Sequence, residues 1–406
     1  MMIIRKVFGD IPITKDLKLL LVVGGLYSLS TALSNTFVNI FLWKQSGSFK
    51  EIGIYNLSIV VFQLVAFIVA GRMAKRIDRV IVLRLGVICL AAFYLAVLTV
   101  ESTALHYIIL LGAILGIGYG FYWLAFNVLT FEITEPENRD FFNGFLGILS
   151  SLGGMAGPFA AGYIITHAFG NIGYSIIFGA SLLLFAIAVV LSFFLERRHA
   201  HGKFYMRRIL QERRRNRNWN RILIANLYQG FREGTFAFIV SVFIFISTGS
   251  ELALGTFGLL NSGIGLVTYY SASRFISQGS RKKAVLIGGI GLFLSIFLLI
   301  FKVTYFTLLL YGALIAVFYP LLLVPYTSLT YDVIGRSWKA GDMRVEYIVI
   351  RDLYLNIGRA FSIIVFLVGI AFFEMKAILP YLLLFIGAGP LFIYYYVKDI
   401  DLSVEN

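Results

Sequence analysis

The sequence is short of most things a soluble domain relies on. Charged residues make up 14% of 406 and hydrophobic residues 59%. Soluble chains carry roughly 25% charge, so lipid rather than water is the expected surroundings. A single cysteine, Cys89, excludes a disulfide within the chain and a thiolate metal cluster. The four histidines, His106, His167, His199 and His201, fall at the edges of apolar segments, so no metal site is expected. No Walker loop occurs, so ATP hydrolysis is not expected, and the chain reads as a non-enzyme with no cofactor. The first ten residues carry Arg5, Lys6 and Asp10 but no apolar core or small-residue cleavage site, so no cleavable signal peptide is expected. Acidic residues are also few, 21 against 35 basic ones, for a net charge of +14. Such a surplus can mark a nucleic-acid binder, but here the basic positions alternate with apolar segments, which argues against nucleic acid.

What is abundant is long apolar runs. A bilayer core of roughly 30 Å takes about 20 apolar residues of helix. Twelve such runs fit, near 17–42, 51–71, 80–100, 106–130, 141–166, 172–195, 221–247, 253–273, 284–301, 303–331, 353–373 and 378–397. They are too long for barrel strands, and only helices or closed barrels satisfy backbone polar groups in lipid. The expected fold class is an all-α integral membrane protein with twelve transmembrane helices. Lys and Arg sort by side: 29 lie in the termini and the even-numbered loops, and 4 (Lys44, Lys50, Lys302 and Lys376) lie opposite. The positive-inside rule then puts both termini in the cytoplasm of a multi-pass plasma-membrane protein. The 39 glycines suit helices packed backbone to backbone.

The chain also repeats itself at an offset near 200. Leu110-Leu-Gly112-Ala113 returns as Leu310-Tyr-Gly312-Ala313, and Leu129-Thr-Phe-Glu132 as Leu329-Thr-Tyr-Asp332. Gly53 and Arg72 return as Gly255 and Arg274. Two six-helix bundles are expected, 1–195 and 221–406, joined by a basic cytoplasmic linker, 196–220. Membrane proteins built from such repeats hold their site between the halves and rock around it. Within the linker, Tyr205, Met206, Ile209 and Leu210 form an apolar stripe beside Arg207, Arg208, Arg213, Arg214 and Arg215. It reads as a helix on anionic lipid or as a solvated hinge that enforces topology.

The loop after the second run is Gly71-Arg72-Met-Ala-Lys75-Arg76-Ile-Asp78-Arg79, answered later by Ser273-Arg274 and Arg281-Lys-Lys283. The fifth run carries Gly144, Gly153, Gly157-Pro158 and Ala161-Gly162. With the six-plus-six arrangement and the basic linker, these resemble the major facilitator superfamily (MFS) over essentially the whole chain. The likeness is strongest to its bacterial twelve-helix, drug/proton antiporter-like members. The resemblance implies two pseudo-symmetric six-helix bundles. The loop is similar to the family pattern G-x-L-A-D-R-x-G-R, with Lys75 in place of the Asp and Asp78 in place of the second Gly. In the family that Asp joins a charged latch between the halves. The usual latch is therefore altered here, and Asp78 is the candidate for a displaced carboxylate. The fifth run is similar to the antiporter pattern g-x8-G-x3-G-P-x2-G-G and departs only at Ala161. It implies a bent, closely packed pivot helix and, in the family, proton-coupled export. An Arg that many proton-driven exporters place in the fourth helix is missing from Ile114-Leu-Gly-Ile-Gly118-Tyr-Gly120.

Charges inside apolar runs are the strongest site signal. Arg232 and Glu233 sit about eleven residues into the seventh run, roughly 16 Å deep at 1.5 Å per residue, where a charged group faces a cavity or a partner. Glu233 is the proton-coupling candidate; its alternative is a structural ion pair with Arg232, Arg359 or a polar neighbour. Adjacent residues on a helix point about 100° apart, so Arg232 and Glu233 need not touch. Arg351-Asp352 matches Arg139-Asp140 of the first half and is expected at the membrane border. Arg359 is then about six residues, or roughly 9 Å, inside, binding an anionic substrate or snorkelling to the surface.

By the resemblance, the first two helices of each three-helix unit line the cavity. The implied polar lining is Asn35, Asn39, Asn56, Gln63, Asn127, Gln229, Asn261 and Asn356. The aromatic lining is Tyr119, Tyr122, Trp123, Phe126, Tyr228, Phe231, Phe236, Tyr319 and Tyr326. Such a wall suits an amphipathic organic molecule or a lipid, whereas a sugar site needs more amides and carboxylates. The expected function is a secondary active transporter of a small organic solute by alternating access, as a proton-coupled exporter. The alternatives are a lipid or lysolipid flippase of the same fold and a non-transporting membrane scaffold or sensor. The expected partners are that solute or lipid, protons and the bilayer, with the chain a monomer.

Overall fold

The computed structural model describes residues 14–133, 136–197, 202–301 and 303–402, except for the side chains of Ser102, Phe131, residues 136–141, Asn143 and Gly144. His199 and His201 therefore lie outside the described residues, and Arg139, Asp140 and Gly144 are described only as part of α5. The first half is α1 (Lys15–Ser46), α2 (Phe49–Arg76), α3 (Arg79–Val100), α4 (Ile108–Ile133), α5 (Pro136–His167) and α6 (Ile172–Ser192). A short linker helix, α7 (Met206–Glu212), follows. The second half is α8 (Arg217–Thr248), α9 (Glu251–Phe275), α10 (Arg281–Ser295) with its short continuation α11 (Phe297–Phe301), α12 (Tyr305–Gly335), α13 (Arg344–Phe372), and α14 (Met375–Gly387) continued by α15 (Gly389–Val397). Together the described residues contain 12 stretches long and apolar enough to cross a membrane.

Local chemistry sets the helix ends, and it repeats. Gly47 and Gly249 adopt left-handed φ angles of 61° and 64° and close α1 and α8. The next residues, Ser48 and Ser250, cap α2 and α9 by accepting from Lys50 N at 3.2 Å and Ala253 N at 3.3 Å. A glycine stop followed by a serine start makes a turn of minimal length, once in each half. α13 departs from expectation. It begins at Arg344 rather than near 353, because its first turns are too polar to register as an apolar run.

Packing repeats as well. In the first half α1 packs on α5 and α6, α4 on α2 and α3, and α3 on α6. In the second half α8 packs on α13 and α15, α12 on α9 and α10, and α10 on α15. The halves meet through α5 against α9 and α2 against α13, two contacts that the repeat relates. The repeated Glu132 and Asp332 have matching roles: Arg79 Nε lies 2.9 Å from Glu132 Oε1, and Arg281 Nη1 lies 2.6 Å from Asp332 Oδ2. We call the end with these pairs and the linker the basic end, and the opposite one the far end.

α8 and α13 approach to backbone contact. A methyl on Gly230 would collide with the Leu355 carbonyl, and one on Gly358 with the Leu227 carbonyl. Backbone cannot swing aside as a side chain can, so Gly358→Ala is expected to cost at least about 1–3 kcal/mol. Thermal melting of the detergent-solubilised protein checks this, with Gly279→Ala, which faces open space, as a neutral control.

The linker helix docks rather than floats. Ile209 is fully buried, and its carbonyl accepts from Trp219 Nε1 at 3.4 Å. Tyr205 and Leu210 stay exposed, so the apolar stripe is split between a docked face and an open one.

Candidate functional site: a cavity between the two bundles

A cavity of about 750 Å³ lies between the halves. Asn35, Asn39, Asn56, Gln63, Tyr119 and Trp123 line it from the first half, with Pro158 of α5. Arg232, Glu233, Phe236, Asn261, Tyr319 and Arg359 line it from the second. A smaller chamber of about 270 Å³ continues toward the basic end and is lined by Asn127, Gln229, Tyr326, Arg351, Asp352 and Asn356. Gln63, Trp123 and Arg359 border both spaces.

Most residues singled out from the sequence therefore converge on one site. Tyr228 does not: it stacks on Phe392 at 4.8 Å and Tyr396 at 5.9 Å, facing α15. Phe231 packs on Phe361 and Phe385, while Tyr122 and Phe126 stack within the first bundle. Tyr27, Phe257 and Tyr311 line the cavity without having been singled out. Tyr311 had a readable signal, since it replaces Leu111 inside an otherwise matching repeat. On the first-half wall, Asn56 Nδ2 donates to Asn39 Oδ1 at 2.8 Å, and the Tyr119 hydroxyl donates to Asn35 Oδ1 at 3.1 Å.

The second-half wall holds the charges. Arg232 and Glu233 lie at the midpoint of the 32-residue α8. Glu233 pairs with Arg359, whose Nε and Nη2 donate to Oε2 at 3.1 and 2.6 Å. Its other oxygen, Oε1, accepts from the Tyr319 hydroxyl at 2.7 Å and Gln229 Nε2 at 2.8 Å. Arg359 also donates to Asn356 Oδ1 at 3.3 Å. Because α13 starts at Arg344, Arg359 lies near the middle of a 29-residue helix. It reaches Glu233 rather than either end of the bundle. Arg351 and Asp352 line the smaller chamber. They lie two turns inside α13 and pair with each other at 2.8 Å, with the Tyr331 hydroxyl 3.2 Å from Arg351 Nη1.

Among the described residues two ion pairs tie the halves together, one at each end. At the basic end Lys75 Nζ lies 3.3 Å from Glu346 Oε2, a fully buried carboxylate, and also donates to the Asp342 carbonyl. Glu346 Oε1 accepts from Tyr205 N at 3.2 Å. At the far end Lys44 Nζ lies 3.0 Å from Glu251 Oε1, which also accepts from the Tyr174 hydroxyl at 2.8 Å. Among the described residues Asp78 makes no contact that joins the halves. It caps α3, accepting from Val80 N at 2.7 Å, and faces Arg197 at 3.5 Å. Arg72, Arg76 and Arg274 are exposed at the basic end.

The glycine-proline pattern straddles this junction. Gly153 and Gly157 abut the α1 backbone at Leu29 and Ala32–Leu33. On the other face Gly154 meets Ser262, Pro158 meets Gly255 and Gly258, and Gly162 meets Glu251, all on α9. Small residues on both faces let one helix seat against both bundles.

Two pseudo-symmetric six-helix halves, enclosing a cavity and tied at each end, define a membrane transporter. The chain belongs to the major facilitator superfamily, whose family model matches residues 20–363. It is 57% identical over 397 residues to the uncharacterized protein YqgE of Bacillus subtilis (strain 168), covering 98% of this chain and 92% of that one. It is 55% identical over 202 residues to an uncharacterized protein in the sodM 3' region of Geobacillus stearothermophilus, covering 50% of this chain and 94% of that one. The crystal structure of the human organic anion transporter MFSD10 (TETRAN) superposes with a TM-score of 0.70 at 16% identity, covering 96% of this chain and 100% of that one.

Proposed function

We propose that the protein is a secondary active exporter that moves a small amphipathic organic solute out of the cell by alternating access, driven by proton entry. The observation that carries this reading is the cavity itself. It is large enough for a drug-sized molecule, and it is walled by aromatics and amides. Glu233 is the one carboxylate on its wall among the described residues. Human MFSD10, of the same fold, is an organic anion transporter by its title, so an organic solute is a natural cargo for this architecture.

With the basic end in the cytoplasm, as the distribution of Lys and Arg argues, both termini are cytoplasmic. The far-end pair Lys44–Glu251 then seals the outside, while the Asn127 chamber leads from the cavity toward the inside. The Lys75–Glu346 pair still ties the basic end, so its release would open the cavity to the cytoplasm for loading. A proton arriving at Glu233 cancels its charge and weakens its hold on Arg359, which frees α13 to shift against α8. Loss of that proton to the cytoplasm restores the pair.

Purified protein in liposomes loaded with the pH dye pyranine tests the coupling. Adding amphipathic solutes from a mixed panel is expected to provoke proton movement in the opposite direction for at least one of them. Proton movement equal to that of protein-free liposomes for every solute overturns it.

A further inference from the structure

Three charged side chains line the central cavity: Arg232, Glu233 and Arg359. Glu233 and Arg359 neutralise each other. Arg232 is left over. Its side chain is only 6% exposed, and its Nε and Nη2 are sealed from solvent without a hydrogen-bond partner. What surrounds the guanidinium is aromatic: the Phe236 ring at 5.2 Å and the Tyr319 ring at 5.8 Å. The Tyr319 hydroxyl is already spent on Glu233. Tyr311, which also lines the cavity, interacts with Arg232, but its hydroxyl makes no hydrogen bond of normal geometry.

A buried cation without a counter-charge is one of the costliest arrangements a membrane protein can hold. Ring faces attract it but accept no hydrogen bonds in its plane. The guanidinium presents donors without an acceptor, and a carboxylate or sulfonate matches a fork of that shape.

We infer that the solute bound in this cavity is an organic monoanion, a carboxylate or sulfonate on an apolar body, whose charged group pairs with Arg232. The inference rests on the transporter reading above and narrows its cargo. A neutral solute leaves the cation uncompensated. A cationic solute is repelled by it. A monoanion brings the net charge of the cavity wall to zero, and Tyr27, Trp123, Phe236 and Phe257 supply an apolar surface for the rest of the molecule.

The test uses the full chain in detergent and isosteric probes: 2-naphthoate and naphthalene-2-sulfonate against 2-naphthamide and 2-naphthylmethylammonium. Lysophosphatidylglycerol, which bears one phosphate charge, forms a further arm that separates a lipid-borne anion from a free one. Binding is read by thermal shift and calorimetry in wild type, Arg232→Gln and Arg232→Lys. The anions are expected to stabilise the wild type and the neutral and cationic probes not to. Arg232→Gln is expected to weaken anion binding about 30-fold or more, as loss of one partner of a buried charge pair does, with Arg232→Lys in between.

A second readout needs no ligand. Unliganded Arg232→Gln is expected to melt at or above the wild-type temperature, because the orphan charge is gone. A structural arginine predicts the reverse, so a lower melting temperature overturns the inference. So does a panel in which no anion is preferred, or anion binding that survives Arg232→Gln. If the neutral or cationic probe binds instead, the transporter reading stands and the anionic cargo falls.

Discussion

Replacing Glu233 with Gln is expected to cost both stability and proton coupling. The wild-type carboxylate accepts four hydrogen bonds, two from Arg359, one from Tyr319 and one from Gln229. The amide keeps the shape and one acceptor oxygen but loses the charge, so Arg359 becomes a cation with neutral acceptors only, Asn356 among them. Breaking a buried pair costs roughly 3–5 kcal/mol. Here the side chains retain 16% and 27% exposure, so a value at or below the lower end of that range is expected, visible as a melting point lowered by several degrees. Adding Arg359→Gln removes the stranded charge and is expected to recover most of the loss in stability, because the two residues share one interaction. Coupling is not expected to return, since no carboxylate is left on the cavity wall among the described residues. Wild-type proton movement by Glu233→Gln at every pH would remove Glu233 from the mechanism. Failure of the double variant to recover stability would mean that the pair does not account for the cost.

The second large effect is expected at Lys75. The MFS loop pattern has an acid at this position, whereas here a lysine reaches across to the buried Glu346 of the other half. The latch is thus rebuilt with its charges exchanged, first half positive and second half negative. Lys75→Glu sets two carboxylates against each other where one is fully buried, and a destabilisation of at least roughly 3–5 kcal/mol is expected. Lys75→Glu with Glu346→Lys restores opposite charges in the order the family pattern uses. It is expected to recover both melting temperature and solute flux in liposomes. Lys75→Met is expected to fall between, leaving Glu346 with only the Tyr205 amide. If Lys75→Glu alone melts and transports like wild type, the contact is incidental to the working cycle. Because the Lys44–Glu251 pair ties the far end, alternating access requires the two pairs to break at different stages. Lys44→Met is therefore expected to favour the state open at the far end.

Much of this molecule is decided along the chain. Apolar length sets the twelve crossings, because lipid offers backbone groups no partner outside a helix. The offset near 200 sets the paired architecture, down to the Gly47-Ser48 and Gly249-Ser250 turns and the matching Arg79–Glu132 and Arg281–Asp332 pairs. Depth alone marks Arg232 and Glu233 as cavity residues, since lipid tolerates neither.

What the chain does not decide is which group each charge meets. Glu233 passes over its neighbour Arg232 for Arg359, because adjacent helical residues diverge by about 100°, and a contact between α8 and α13 exists only once Gly230 and Gly358 let their backbones touch. Lys75 finds Glu346 rather than Asp78 for a similar reason: Asp78 is held on the first turn of α3 by backbone amides, while α13 brings its buried end alongside α2. Tyr228 turns to α15 and Tyr311 to the cavity through the rotation of their helices, which composition does not encode. Periodicity says which residues share a face. Only the packing of helix on helix says what that face looks at, and so it was tertiary structure that neutralised two of the three cavity charges and left Arg232 without a partner.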